Sequence, residues 1–181
     1  RISTGEKKPA IAFHEDLLFT HRGLSGPAIL QISSYWQPGQ PLTIDLLPHL
    51  DIAEALQEAK ASSKKQLPNL LAQWLPTRLA EAWCQHTPAW QGPVNQCSDK
   101  ALAQLAHSLS HWQITPSGTE GYAKAEVTLG GVDTQALAQQ SMQAKQQPGL
   151  FFIGEVVDIT GWLGGYNFQW AWASAYVCAQ A

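Results

Sequence analysis

Apolar positions along the chain fall into four differently patterned regions. In residues 1–48 they form short runs at 10–13, 17–19 and 42–47, broken by Gly and Pro, a pattern that predicts strands. Between these runs, Pro27 sits where a first-turn proline belongs, with Ser25 or Gly26 as its cap. Apolar residues at 28, 29, 32, 35 and 36 then predict a helix reaching Trp36. Residues 51–111 read as helical throughout. Asp51 and Glu54 have capping-box spacing, and Ile52, Ala55, Leu56 and Ala59 line one face. Further helices are predicted at 69–75, after Pro76 with Leu79, Ala82 and Trp83 on one side, and after Ser98 or Asp99. Along the last of these, Leu102, Leu105, Ala106 and Leu109 repeat at helical spacing. Pro68, Pro76, Pro88 and Gly92-Pro93 keep the helices short, so the expected arrangement is a small helical bundle. Residues 112–115 and 123–129 return to strand character around a turn at 116–118. The Gln-rich stretch 139–147 reads as a solvated surface segment.

Composition narrows the function classes. Across 181 residues, 11 Lys and Arg stand against 14 Asp and Glu, a net charge of −3. That balance predicts no nucleic-acid partner, because phosphate binding needs a dense basic face, and no polybasic membrane surface. Apolar residues make up 45% of the chain and charged residues 14%, against roughly 25% charged in an ordinary soluble domain. A real core can form, with a surface built from Gln, Ser and Thr and from faces meant to be covered. Cys84, Cys97 and Cys178 are an odd number without a C-x-x-C, which argues against a disulfide framework or zinc ribbon and for a reducing, cytoplasmic setting. The chain opens at Arg1 without a signal-peptide pattern and reads as a processed protein or a piece of a longer one. Residues 159–181 carry no formal charge, but Gly161, Gly164 and Gly165 leave a helix-competent stretch too short to span a bilayer, so a buried helix is expected.

The segment 148–181 concentrates the chemistry. A continuous apolar run at 150–153 predicts a strand buried on both faces, ending at Gly154-Glu155. A short loop with Asp158 leads to Gly164-Gly165, and a long apolar helix follows from Tyr166. Paired glycines let a ligand approach the backbone, and the helix start offers unpaired N–H groups at the positive end of its dipole. Strand, acid, glycine loop and helix together describe a small-molecule cradle. The plainer reading is a strand–turn–helix with a surface Glu, and pattern alone does not separate the two.

The string 149–169, GLFFIGEVVDITGWLGGYNFQ, closely resembles the C-terminal flavin motif of the BaiN-like or YhiN-type bacterial NAD(P)/FAD-dependent oxidoreductases. Residues 18–27, LFTHRGLSGP, and 125–132, AEVTLGGV, resemble the same family, in the same order. The resemblance implies an α+β chain. A partial β-barrel (residues 1–48 and 112–132) would carry an inserted helical bundle (51–111), all within an insert domain spanning 1–132. Residues 133–181 would be the C-terminal part of a Rossmann-like FAD domain. The family's G-x-G-x-x-G half is absent from these 181 residues, so the resemblance implies a C-terminal portion that needs the missing N-terminal half-domain to hold FAD and is inactive alone. Exposed apolar surface near Trp170 and Trp172, and self-association of the separate chain, are expected with it.

By the same resemblance, Glu155 bonds a ribityl hydroxyl of FAD after Gly154, while Gly164, Gly165, Tyr166 and Asn167 present backbone N–H groups to the flavin's pyrimidine edge. Asp158 either joins this cofactor site or caps the loop. Function follows as flavin-mediated hydride or electron transfer, with NAD(P)H as donor and a small-molecule substrate that the sequence does not identify. No catalytic acid–base residue is read from the sequence, and no metal site. The rival reading is a non-catalytic substrate-capping or protein-interaction domain. His21, Arg22 and Ser25, beside the helix start at Pro27, could take an anionic substrate, though a hairpin turn explains them more simply. His107 and His111 have metal-ligand spacing without a carboxylate or Cys beside them, while His14, His49 and His86 are isolated in sequence. Cys178 reads as core. Trp162, Trp170 and Trp172 crowd the flavin segment, and Trp74, Trp83, Trp90 and Trp112 belong to the bundle.

Overall fold

The computed structural model describes residues 1–5 and 10–181. It divides into two compact units: Arg1–Glu15 with Trp36–Pro116, and Asp16–Tyr35 with Ser117–Ala181. Six short strands, β1 (Ile2–Thr4), β2 (Ala12–Phe13), β3 (Leu18–Phe19), β4 (Leu24–Ser25), β5 (Leu42–Ile44) and β6 (Trp112–Ile114), and six helices, α1 (Pro27–Ser33), α2 (Ile52–Ser62), α3 (Leu67–Leu71), α4 (Thr77–Gln85), α5 (Asp99–Ser110) and α6 (Tyr166–Ala179), give a mixed α+β chain with small antiparallel sheets.

In the first unit the strands pair in the order β2-β1-β5-β6, antiparallel throughout. Ile2 faces both Phe13 and Ile44, and Leu42 faces Ile114. Ile2, Phe13, Leu42 and Ile44 are buried, so one face of the sheet is apolar and takes alternate residues of each strand. Residues 6–9, inside the region expected to form barrel strands, lie outside the described residues. Strand β1 had no run long enough to announce it.

The bundle follows from its caps and faces. Asp51 accepts the Glu54 N–H at 3.0 Å and starts α2; Ser98 accepts the Ala101 N–H at 3.1 Å and starts α5. Leu56, Leu67, Leu71, Leu102, Leu105 and Leu109 are at most 1% exposed and form one core with Trp90 and Val94. Of the tryptophans expected in the bundle, Trp74, Trp83 and Trp90 are there, while Trp112 opens strand β6. Trp90 donates to the Ala101 carbonyl, Trp83 donates to the Ser108 hydroxyl and stands edge-on to Trp112 at 5.3 Å, and Trp74 packs partly buried against the core. His107 and His111 stack on each other with ring centroids 4.7 Å apart. His14 and His49, isolated in sequence, come within 6.3 Å.

Several expected elements differ. The first helix stops at Ser33 rather than Trp36, and the helix expected at 69–75 is α3 at Leu67–Leu71. Residues 123–129 form no strand: a 3₁₀ turn at Gly121–Ala123 precedes an exposed stretch, with Val127 37% and Leu129 58% exposed. The run 150–153 is not a strand either. Phe151 makes one isolated antiparallel bridge to Gln143, and Leu150, Phe151 and Ile153 are each more than 40% exposed. A strand's hydrogen bonds come from its neighbours, and the described residues offer this run only the short bridge to residues 142–144 on one side. Helix α6 forms where expected but is not buried, since Phe168 is 73% and Trp172 74% exposed. Inside the Gln-rich stretch, Met142 is buried with Leu137 and Val157.

Candidate functional site

In the second unit, two chain segments are tied side by side. Val132 donates to the Val156 carbonyl at 2.8 Å and Asp158 N–H donates to the Val132 carbonyl at 2.9 Å, a short parallel bridge. The Asp158 carboxylate accepts the Gly130 N–H at 3.2 Å. Gly131, at φ +145°, has no room for a side chain: a Cβ there would overlap the Val156 carbonyl oxygen and sit 3.1 Å from Asp158 N. Of the two roles open to Asp158 in the sequence, its hydrogen bond is the loop-closing one.

The next turn carries the acid. Gly154–Val156 is a 3₁₀ turn, with Gly154 at φ +69°, a conformation natural to glycine. Both backbone groups of Gly154 are held by α6: its N–H donates to the Ser174 hydroxyl at 2.9 Å, and its carbonyl accepts from the Trp170 indole at 2.9 Å. Ser174 is 2% exposed, and its hydroxyl donates to the Trp170 carbonyl at 2.8 Å. Glu155 is thereby fixed by its backbone while its side chain stays exposed.

The glycine loop is held from two sides. Asn167 uses both ends of its amide on Gly161, accepting the N–H at 2.7 Å and donating to the carbonyl at 3.2 Å. Gln31, a buried polar residue of α1, accepts the Leu163 N–H at 3.3 Å, and the Trp162 indole donates to the Tyr35 hydroxyl at 2.7 Å. Gly165 then caps α6 in the left-handed region at φ +88°, with no side-chain cap on the first turn. The uncapped turn borders a cleft of about 280 Å³ lined by Glu126, Glu155, Trp162, Gly164, Gly165 and Asn167, among others. A larger hollow of about 900 Å³ lies along α6 beside Leu137, Met142, Val157 and Trp170.

Of the residues singled out in the sequence, Glu155, Gly164, Gly165 and Asn167 border one cleft; Gly154 and Asp158 do not line it, Gly154 being held on Ser174 and Asp158 on Gly130. Tyr166 opens α6 with its side chain 63% exposed. His21 and Arg22 belong to the turn of the β3–β4 hairpin, where Thr20 Oγ1 accepts the N–H groups of Arg22 and Gly23 and Arg22 pairs with Glu120 at 3.2 Å. Ser25 lies in β4 and pairs with Leu18 of β3, and the α1 cap is Gly26 without a side-chain bond. Gln31 and Ser174 had no place in the sequence reading, and Glu126 entered it only inside the 125–132 string. Ser174 carried one faint signal, a serine in a largely apolar helix one turn after Trp170; Gln31 carried none. What the cleft offers chemically is a helix dipole's positive end and free N–H groups beside an exposed carboxylate: donors for carbonyl oxygens or an anion, and an acceptor for hydroxyls.

Residues 1–127 match the family of the HI0933-like protein barrel and H2TH domain. The chain is 52% identical over 169 residues to the ribosomal RNA dihydrouridine synthase of Haemophilus influenzae and 54% identical over 169 residues to the protein of the same name from Escherichia coli. Each match covers 93% of this chain and 42% of the relative, so the chain spans less than half the length of these proteins. It is also 26% identical over 178 residues to a 3-dehydro-bile acid delta(4,6)-reductase of Clostridium scindens, covering 92% of this chain and 43% of that protein.

Proposed function

The chain belongs to the HI0933-like protein family, and from that premise we propose that it supplies the barrel, the helical insert and the cofactor-facing C-terminal segment of a flavin-dependent reductase that converts uridine in ribosomal RNA to dihydrouridine. The observation that carries this reading is the identity of 52% and 54%, over 93% of the chain, to two proteins of that name. The bile-acid reductase supports the reaction class from further away. Its name denotes loss of a C=C bond conjugated to a 3-oxo group, and uridine C5=C6 is likewise conjugated to the C4 carbonyl.

Within this reading, residues 1–132 form the insert and 133–181 the returning end of a Rossmann-like FAD domain. Two features of the segment support that division. Helix α6 is apolar around its circumference, the composition of a helix covered on every side. The half-exposed run at 150–153 has the sequence of a central parallel strand.

The cleft fits a flavin edge. Its uncapped helix start and its glycines, which place no Cβ in the way, leave N–H donors for the pyrimidine carbonyls, and Glu155 offers an acceptor for a ribityl hydroxyl. When bound, FAD supplies the hydride that NAD(P)H has delivered to it. The chain's own residues bind and orient: Asn167 and Gln31 fix the glycine loop, Trp170 and Ser174 fix the turn that carries Glu155, and the α6 dipole favours negative charge at the cofactor's pyrimidine edge. The expectation against nucleic acid rested on summed charge; phosphate contact depends on local potential, which the sum does not describe.

The deciding experiment gives the intact protein, FAD, NADPH or NADH, and ribosomal RNA lacking the modification, and measures dihydrouridine. Formation dependent on both cofactors is expected; none from a flavin-loaded protein overturns the reading. Glu155→Ala should weaken FAD retention by roughly ten- to 150-fold, from about 1.5–3 kcal/mol for a hydrogen bond to a charged group. Unchanged retention would remove Glu155 from the cofactor site.

A further inference from the structure

We propose that one end of the helical insert is the surface on which the phosphate backbone of the RNA docks. The inference rests on the ribosomal RNA reading above and adds to it where on this chain the RNA is held. Residues 59–80 carry Lys60, Lys64, Lys65 and Arg78 and no carboxylate. Three of these cations belong to the end of α2 and the loop into α3, and a fourth, Lys100, follows Asp99 at the start of α5, the helix to which Lys60 reaches. Lys60 reaches across to Asp99 at the start of α5, at 2.6 Å. The loop is stitched to the segment leading into α5: Val94 N–H donates to the Lys65 carbonyl at 2.9 Å and Leu67 N–H to the Gly92 carbonyl at 3.0 Å.

The one acid at this junction is already engaged. Lys60, with a further hydrogen bond from Gln57, holds the Asp99 carboxyl below its ordinary range. Lys64, Lys65 and Lys100 are exposed, and the ion pairs among the described residues, Lys60–Asp99 and Arg22–Glu120, include none of them. On α2, Glu54 and Glu58 lie about 120° and about 160° around the helix from Lys60, so their charges face away from the junction. Lys100 stands in the first turn of α5, where the helix dipole disfavours a cation, so the helix itself does not favour it there. Exposed neutral amides at Asn95 and Gln96 border the lysines and add donors without adding negative charge. Such a surface positions a nucleic-acid backbone and reads no sequence.

The test uses the intact protein and its K64Q/K65Q/K100Q variant, with ribosomal RNA transcribed in vitro as the probe. The three side chains are exposed, so the visible flavin spectrum and kcat should be unchanged. Each lysine that neutralises one phosphate contributes about 0.7–0.9 to the slope of log binding constant against log salt. The variant's slope should therefore fall by about 2–3, and RNA affinity near 0.15 M salt by roughly tenfold to hundredfold, seen also as a raised KM. An unchanged slope and KM overturn the surface. If the parent binds RNA but forms no dihydrouridine, the reaction reading fails while the slope still decides the surface. Unchanged RNA binding together with lost binding to phosphatidylglycerol vesicles would assign the lysines to a membrane surface and overturn the proposal.

Discussion

Ser174→Ala isolates the bond that fixes the turn ahead of Glu155. Ser174 is the one buried residue of α6, 2% exposed, and its hydroxyl accepts the Gly154 N–H at 2.9 Å. Alanine keeps the backbone and removes the acceptor, leaving a part-buried donor without that partner, a cost of up to about 1–3 kcal/mol. The Gly154 carbonyl stays on the Trp170 indole at 2.9 Å, so the turn is loosened and not released. If the turn presents Glu155 to the flavin, that cost falls on cofactor binding, and FAD retention by the intact protein should drop by roughly 5- to 150-fold. The assay is flavin release on dilution, followed by the visible spectrum, with thermal unfolding alongside. Combining Ser174→Ala with Trp170→Phe should cost less than the sum of the two, because both side chains hold the same glycine. A Ser174→Ala protein that keeps FAD and melts as the parent does would refute this account. A lowered melting point with unchanged FAD retention would confine the bond to the fold.

Gly131→Ala forces a Cβ against the Val156 carbonyl oxygen at φ +145°. The expected strain of about 1–3 kcal/mol should open the bridge between residues 132 and 157 and show as faster proteolysis of the surrounding loops. Leu105→Ala, at a position with no exposure in the bundle core, should destabilise the insert by about 2–5 kcal/mol in denaturant titration, with Glu54→Ala on the exposed face of α2 as the near-neutral control. Burial pushes the Cys84 thiol up to about 11. It should resist alkylation at neutral pH in the folded protein. Its raised pKa also means that the folded state keeps the proton longer than the unfolded chain. The stability linked to it is complete below about pH 9 and declines as the pH rises through about 11, a loss that Cys84→Ala should lack in pH-dependent unfolding.

The bundle was legible where its helices, α2 and α5 above all, are capped by residues near in sequence and keep an apolar face at helical spacing. Asp51 and Ser98 cap what the spacing said they would cap, and Leu102, Leu105 and Leu109 face one core. The strands were legible only where they were apolar runs. β1 is three residues long and owes its place to pairing with Phe13 and Ile44, information that lies 11 and 42 positions away. The run at 150–153 shows the opposite failure. Its sequence has the composition of a strand, but a strand exists only with partners, and the described residues supply a single bridge.

The cleft divides along the same line. Glycine pairs and an exposed acid are visible in a string of letters because the backbone conformation or the charge alone makes them unusual. Gln31, Ser174 and the side chain of Asn167 are not, because each acts on a backbone group that only folding brings near. Helix α6 makes the reason plain. A search for its buried face looks for an apolar stripe, and the whole helix is apolar; yet the residue it buries is a serine. What lies beneath that residue is the turn at Gly154, whose N–H would be orphaned against a purely aliphatic face and whose carbonyl would keep only the Val157 N–H at 3.2 Å. Serine and tryptophan, one turn apart, give that turn one acceptor and one donor. The position of Glu155 is therefore set by a hydroxyl and an indole on the opposite element, at sequence separations of 20 and 16 from Gly154.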